Sequence, residues 1–291
     1  MAGGFDYSWS PDGKWFTLTF IGNRHDPYSD IGLVSADGKG EIINLTNSGY
    51  ASGSPRWAMD GNAILFTTER YGMRNHASWG SLDDVMMVFL NQDAYDKFRL
   101  SKEDYELQKE LEEEQAKAAE KEKAKEDKKD KKGDKKKDDK KDDKDKKEKL
   151  ITVELEGIED RIVRLTPNSS NIASAIVTEN GETLYYLSAF EGGFDMWKMD
   201  LRKHDTKLLH KMNSGWAGME ADADGKNIFI LGGGNLQKMD AGSGALKPIS
   251  YRAEVKMDLA AEREYMLQHV YREEKMRFYE VNMHGVDWEA W

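Results

Sequence analysis

The chain has 291 residues, with 43 Lys and Arg against 54 Asp and Glu for a net charge of -11, and it contains no cysteine. That excludes a disulfide framework, a thiolate metal site and a cysteine nucleophile. No apolar run approaches the roughly 20 residues that cross a bilayer, and Met1 to Phe5 lack the regions of a signal peptide. The acidic balance argues against nucleic acid as a partner.

A tight-turn signal opens the first unit at Ser10-Pro11-Asp12-Gly13. It recurs as Ala58-Met59-Asp60-Gly61, Thr178-Glu179-Asn180-Gly181 and Asp222-Ala223-Asp224-Gly225. Asp-Gly and Asn-Gly predict two-residue hairpin turns, because the backbone there must reach positive φ. A second strand follows each turn: Trp15 to Ile21, Ala63 to Thr68, Thr183 to Ser188 and Asn227 to Leu231. Third strands are expected at Asp30 to Ser35, Asp84 to Leu90, Phe194 to Asp200 and Asn235 to Asp240. Fourth strands are expected at Glu41 to Thr46, Arg161 to Thr166, Lys207 to Lys211 and Leu246 to Ser250. Two of these end alike, in Asn44-Leu45-Thr46 and Arg164-Leu165-Thr166. Gly13 to Gly61 spans 48 residues and Gly181 to Gly225 spans 44, whereas Gly61 to Gly181 spans 120. The excess places an insertion at Asn91 to about Ile158, between the third and fourth strands of the second unit.

The insertion starts with a short helix at Asn91 to Leu100, docked through Tyr95 and Phe98, then a second helix capped by Ser101 and Asp104, with Leu107 and Leu111 on one face. Residues 109–149 hold 18 Lys and 16 Asp or Glu, a net of +2, so the other 250 residues carry -13. Beyond about Asp127 the Lys/Asp mixture has nothing to bury and is expected to be disordered. Near the C-terminus, Glu254 to Asp258 looks like a closing strand. A helix from Leu259 to Tyr279 follows, N-capped by Asp258, with Ala261/Tyr265, Met266/Val270 and Leu267/Tyr271 as i,i+4 apolar pairs.

Four strands per unit of about 45 residues is the period of a β-propeller blade. The expected fold class is therefore all-β: about four four-stranded blades, with a long charged insertion and a C-terminal helix. Four units are compatible with a small closed ring or with part of a larger propeller, and the larger one is preferred. The boundaries are 1–90 for blade 1 and blade 2 to its third strand, 91–158 for the insertion, 159–257 for the remaining blades, and 258–291 for the helix and the start of another domain.

Chemistry is sparse along the chain. It has no Gly-x-Ser-x-Gly elbow, His-Glu-x-x-His helix or P-loop, and its six histidines are scattered. No catalytic residue, cofactor or metal site is assigned. Asp222-x-Asp224-Gly225 and Gly232-Gly233-Gly234-Asn235 read as turns rather than as a calcium loop or a phosphate cradle. His25-Asp26 reads as a loop hydrogen bond. Trp9 and Trp57 read as packing between blades. The candidate site is a peptide-contact loop of Tyr71, Arg74, His76 and Trp79, weighed against plain inter-blade packing.

Several stretches resemble the tricorn-type proteases, serine peptidases with two β-propellers ahead of their catalytic domains. They are Phe5 to Lys14, Asn23 to Ile31, Asp258 to Tyr265 and, most specifically, Met283-His284-Gly285-Val286-Asp287-Trp288. The resemblance implies the later blades of the second propeller plus the first helix of the catalytic half. No residue here matches the family's catalytic serine, histidine or glutamate, so the chain alone is expected to be inactive. It further implies peptides as partners, homo-oligomers of the full-length protein, and a cytoplasmic location, or a periplasmic one if an upstream signal exists. The alternative is a stand-alone TolB-like interaction propeller.

Overall fold

The computed structural model describes residues 6–22, 28–74, 80–130 and 150–290, with the side chains of residues 116 and 118–130 excepted. The chain divides into two compact units, Met1–Ile249 and Ser250–Trp291. Among the described residues the first unit forms sixteen strands in four antiparallel sheets, each a meander of four consecutive strands, arranged as the blades of a β-propeller. Blade 1 holds β1 (Tyr7–Trp9), β2 (Trp15–Phe20), β3 (Asp30–Ser35) and β4 (Ile43–Asn44). Blade 2 holds β5 (Ser52–Ala58), β6 (Ala63–Thr68), β7 (Asp84–Phe89) and β8 (Ile162–Arg164). Blade 3 holds β9 (Asn171–Val177), β10 (Thr183–Ala189), β11 (Phe194–Asp200) and β12 (Asp205–Ser214). Blade 4 holds β13 (Ala217–Ala221), β14 (Asn227–Gly232), β15 (Asn235–Asp240) and β16 (Leu246–Ile249).

Side chains alternate between the two faces of each strand, so each middle blade serves two cores. In β6 and β7, Ile64, Phe66, Met86 and Val88 turn toward Ile31, Leu33 and Leu45 of blade 1. The alternate set, Ala63, Leu65, Val85, Met87 and Phe89, meets Leu184 and Tyr186 of blade 3. On β10, Tyr185 and Leu187 face Met219, Ile228 and Ile230 of blade 4. Burial on both faces explains why Asp84–Phe89 is a nearly continuous apolar run, whereas β14 shows alternating burial.

The recurrent turns are four-residue loops, not the expected two-residue ones. In blade 1 the Ser10 N–H donates to the Trp15 carbonyl at 2.9 Å, and Gly13 N–H donates to the Ser10 carbonyl at 3.0 Å. Ser10 Oγ accepts from the Trp15 N–H at 2.9 Å, and Asp12 Oδ1 accepts from Ser10 Oγ at 2.6 Å and Lys14 N–H at 3.0 Å. Thr178 with Asn180, and Asp222 with Asn227, repeat this closure. A side chain that closes the loop keeps every residue but the glycine at negative φ. Ala58 has no such side chain, and there Met59 and Asp60 both take positive φ.

The glycines also seat neighbouring turns. A Cβ on Gly181 would meet Met59 Cε at 2.8 Å, and one on Gly225 would meet Glu179 at 3.4 Å. Met59 and Glu179 hold the same place in successive turns, so each blade's turn leans on the glycine of the next. At Gly61 the occupant is the Ile151 side chain, on the limb returning from the insertion.

A second repeated device explains the paired Leu-Thr strand ends. Thr46 Oγ1 donates to Asp30 Oδ1 at 2.9 Å and accepts the Ile31 N–H at 3.1 Å. Thr166 Oγ1 donates to Asp84 Oδ1 at 2.9 Å and accepts the Val85 N–H at 3.1 Å. A buried aspartate at the start of the third strand is thus satisfied by the end of the fourth. Fourth strands differ most from expectation: Glu41 to Thr46 contracts to Ile43–Asn44 and Arg161 to Thr166 to Ile162–Arg164, while Lys207 to Lys211 extends to Asp205–Ser214. As sheet edges they have one partner strand each, so local contacts set their length.

The insertion begins with α1 (Gln92–Arg99) and α2 (Lys102–Asp130), which continues past Asp127. Asn91 caps α1, and Ser101 Oγ accepts the Asp104 N–H at 3.1 Å. Phe98 and Tyr95 pack on Phe89, with ring centroids 4.9 and 5.6 Å apart. Among the described side chains of α2, Tyr105 is buried, whereas Leu107 and Leu111 are exposed. Arg202 explains this: its guanidinium lies 4.0 Å from the Tyr105 ring centroid and donates to the carbonyls at the end of α1, and the Tyr105 hydroxyl reaches the Asn180 carbonyl. The expected disordered tract lies mostly at residues 131–149, outside the described residues.

In the second unit, Glu254 to Asp258 forms no strand; Val255 and Met257 are exposed and no strand pairs with them. α3 (Leu259–Arg277) stops two residues before Tyr279. Asp258 caps it, accepting from Ala260 and Ala261 N–H at 3.1 and 3.2 Å. Trp288 folds back onto Tyr271, stacked at 5.1 Å, and accepts its hydroxyl. The expected apolar pairs leave Tyr265, Met266, Leu267 and Val270 exposed.

Candidate functional site

Strand direction sorts the loops of the blade array onto two faces. One carries the four short turns and the insertion. The other, the rim face, carries the links from second to third strands and from blade to blade.

On the rim face, the connection from β6 to β7 holds Arg70, Tyr71 and Arg74, the link from β4 to β5 holds Tyr50, and Arg164 ends β8. Their side chains interleave. Arg74 lies 4.6 Å from the Tyr50 ring centroid and Arg70 lies 6.0 Å from it. Arg70 and Arg164 lie 5.4 and 5.0 Å from that of Tyr71. Arg164 is anchored, its Nε and Nη2 donating to Asp84 Oδ1 at 3.0 and 2.8 Å. Of the expected contact residues, Tyr71 and Arg74 therefore belong to one cluster. His76 and Trp79 lie outside the described residues, as do His25 and Asp26. Tyr50, Arg70 and Arg164 are added to it; the only sequence signal for them was an Arg-Tyr pair at Arg70-Tyr71.

Two carboxylates sit beside this cluster. Asp83 is pushed up to about 6 by burial, then by Glu69 and Asp84. Glu69 accepts the Ala51 N–H at 3.3 Å.

At the opposite face, the turns surround a cavity of about 340 Å³ between the first strands of the blades. Arg56 of β5 crosses to Glu220 of β13 with two contacts of 2.6 and 2.7 Å. Being well exposed, this pair contributes about 1 kcal/mol or less. Asp60, Glu179 and Asp222 also line the cavity. Hydrogen bonds from Asn227 hold Asp222 below the usual carboxylate range. Trp57 bridges blades as expected, donating from Nε1 to the Ser8 carbonyl at 2.9 Å. Trp9 does not: it is exposed and leans on Phe16 of its own blade, 5.5 Å away, because β2 is the strand beside it. Asp222 to Gly225 and Gly232 to Asn235 are inter-strand turns. No group of three or more metal-binding side chains occurs among the described residues. No helix among them is long and apolar enough to cross a membrane.

Comparison with known proteins starts at the second unit. Residues 259–291 match the tricorn protease C1 domain. The chain resembles the propeller part of a tricorn-like peptidase. The crystal structure of the tricorn protease superposes with a TM-score of 0.61 at 9% identity, covering 98% of this chain and 26% of that one, which shows the fold alone. The uncharacterized peptidase YuxL of Bacillus subtilis (strain 168) is 32% identical over 101 residues, 35% of this chain and 14% of that protein. Kuenenia stuttgartiensis hydrazine synthase aligns at a TM-score of 0.50 and 10% identity over 86% of this chain and 33% of its own. The chain thus spans 14% of the curated relative and about a quarter of the tricorn protease.

Proposed function

We propose that this chain is the non-catalytic propeller portion of a tricorn-like serine peptidase and that it guides peptides toward a catalytic domain. One observation carries the reading: a propeller is followed, in the same chain, by a segment that matches the tricorn protease C1 domain. A propeller alone hosts many functions, so the order of the two parts is what favours a peptidase. The arginine and tyrosine cluster around Tyr71 and Arg74 is the surface we assign to peptide contact.

The test uses the 291-residue chain with fluorescein-labelled fragments of denatured casein. Binding without hydrolysis is expected, with polarization rising on titration and no cleavage product by mass spectrometry. Cleavage that a serine-directed inhibitor abolishes, or no binding of any fragment, would overturn the reading.

A further inference from the structure

The rim cluster has an order that its function as a general peptide surface does not require. Arg74, Tyr50, Arg70, Tyr71 and Arg164 form a ladder in which guanidinium groups and rings alternate, at 4.6, 6.0, 5.4 and 5.0 Å. A guanidinium stacked on a ring is held by its face, which leaves its N–H edge for another partner. Arg164 has spent that edge on Asp84 and Ser169. Arg70 and Arg74 have not: among the described residues neither guanidinium makes an ion pair or a hydrogen bond, and their side-chain contacts are the rings. The carboxylates nearby do not occupy them. Glu69 is engaged by the Ala51 N–H, and Asp83 is raised to about 6 with no cation among the groups that act on it. Two cations, pre-oriented and unspent among the described residues, thus stand on a chain whose net charge outside the charged tract is -13.

We propose that this ladder is a docking site for acidic segments of polypeptides, with Arg70 and Arg74 each receiving a carboxylate. The inference rests on the peptide-guiding reading and names the substrate class that the rim selects. Charge complementarity supplies the attraction, and the planar forks accept carboxylates two N–H bonds at a time. Tyr50 and Tyr71 hold the forks in place and give the apolar parts of the bound segment a surface. A linear array suits an extended segment with acidic residues along it.

The experiment measures polarization of fluorescein-labelled decapeptides on the intact chain: alternating Glu and Gly, alternating Ser and Gly, and alternating Lys and Gly, with a ten-nucleotide oligothymidine beside them. The Glu peptide should bind at least about tenfold more tightly than the Ser peptide, with the Lys peptide weakest, and added salt should erode the difference. The double variant Arg70→Gln/Arg74→Gln should lower Glu-peptide affinity to the Ser-peptide level. Both arginines are exposed, so its urea midpoint should be unchanged. Tyr50→Phe should retain the preference and Tyr50→Ala should weaken it. Equal binding of Glu and Ser peptides, or no effect of the double variant, would overturn the acidic preference while leaving peptide guidance standing. Oligothymidine binding as tight as the Glu peptide would also overturn it, in favour of a general polyanion surface. Failure of all three peptides to bind would remove the guiding reading and this inference together.

Discussion

The two loop faces of the blade array are built by different means. On the turn face, three arginines are spent internally. Arg161, 4% exposed, donates to the carbonyls of Phe89, Glu154 and Glu156 and so closes both ends of the insertion onto blade 2. Arg202 does the same for the end of α1, and Arg56 is neutralised by Glu220. On the rim face, among the described residues, Asp84 and Arg164 form one satisfied pair, and the guanidinium groups of Arg70 and Arg74 rest on rings. Arginines that satisfy buried carbonyls are structural, because losing them strands those groups. Arginines held only by ring faces add little to stability and keep their donors available. The arginines named on one face thus serve the fold, and Arg70 and Arg74 on the other form the docking site proposed above.

Substitutions can break this contrast, and the largest effect is expected at Asp84. It is fully buried and accepts from Arg164, Thr166 and Ser169, so Asp84→Ala should cost about 3 kcal/mol in urea unfolding. It should also raise amide exchange in residues 69–74 while leaving the turn face protected. Arg161→Ala should do the reverse, at about 2 kcal/mol, with exchange rising at residues 150–161. Asp83→Asn should stabilise the chain at pH 7 by about 1 kcal/mol, after discounting for its partial exposure. The sign follows from its raised value. The folded chain holds this proton more tightly than the unfolded one, so its contribution is complete below 3.8 and disappears as pH rises to about 6. The gain from Asn should therefore vanish at pH 4, read from urea midpoints at both pH values. Ser10→Ala, which removes the hydroxyl that closes the first turn, should cost about 0.5 kcal/mol and be detectable only in the turn-face amides.

Most of the blade array was legible in the sequence. Asp30–Ser35, Ala63–Thr68, Phe194–Asp200 and Asn235–Asp240 have the bounds that strand patterning expects. Inner strands have partners on both sides, so their length follows local patterning. The fourth strands of blades 1 to 3 did not, and neither did the run at Glu254 to Asp258, whose alternation has no neighbour to pair with. At the candidate site, Tyr71 and Arg74 were legible as aromatic and basic residues in a long connection. Tyr50 and Arg164 were not, because one comes from the link before β5 and the other from the end of β8, distant in sequence on either side.

The sequence by itself determined four repeated units, the glycine in each turn and the place of the insertion, because strand period, positive φ and spacing are properties of neighbouring residues. It also held both halves of the Asp-to-Thr device, visible only as the shared Leu-Thr ending. Tertiary structure decided which charges were spent. Whether an arginine meets a carboxylate, a carbonyl or a ring depends on which loops the blades bring to one face, and the energies that separate these outcomes arise between segments far apart in the chain.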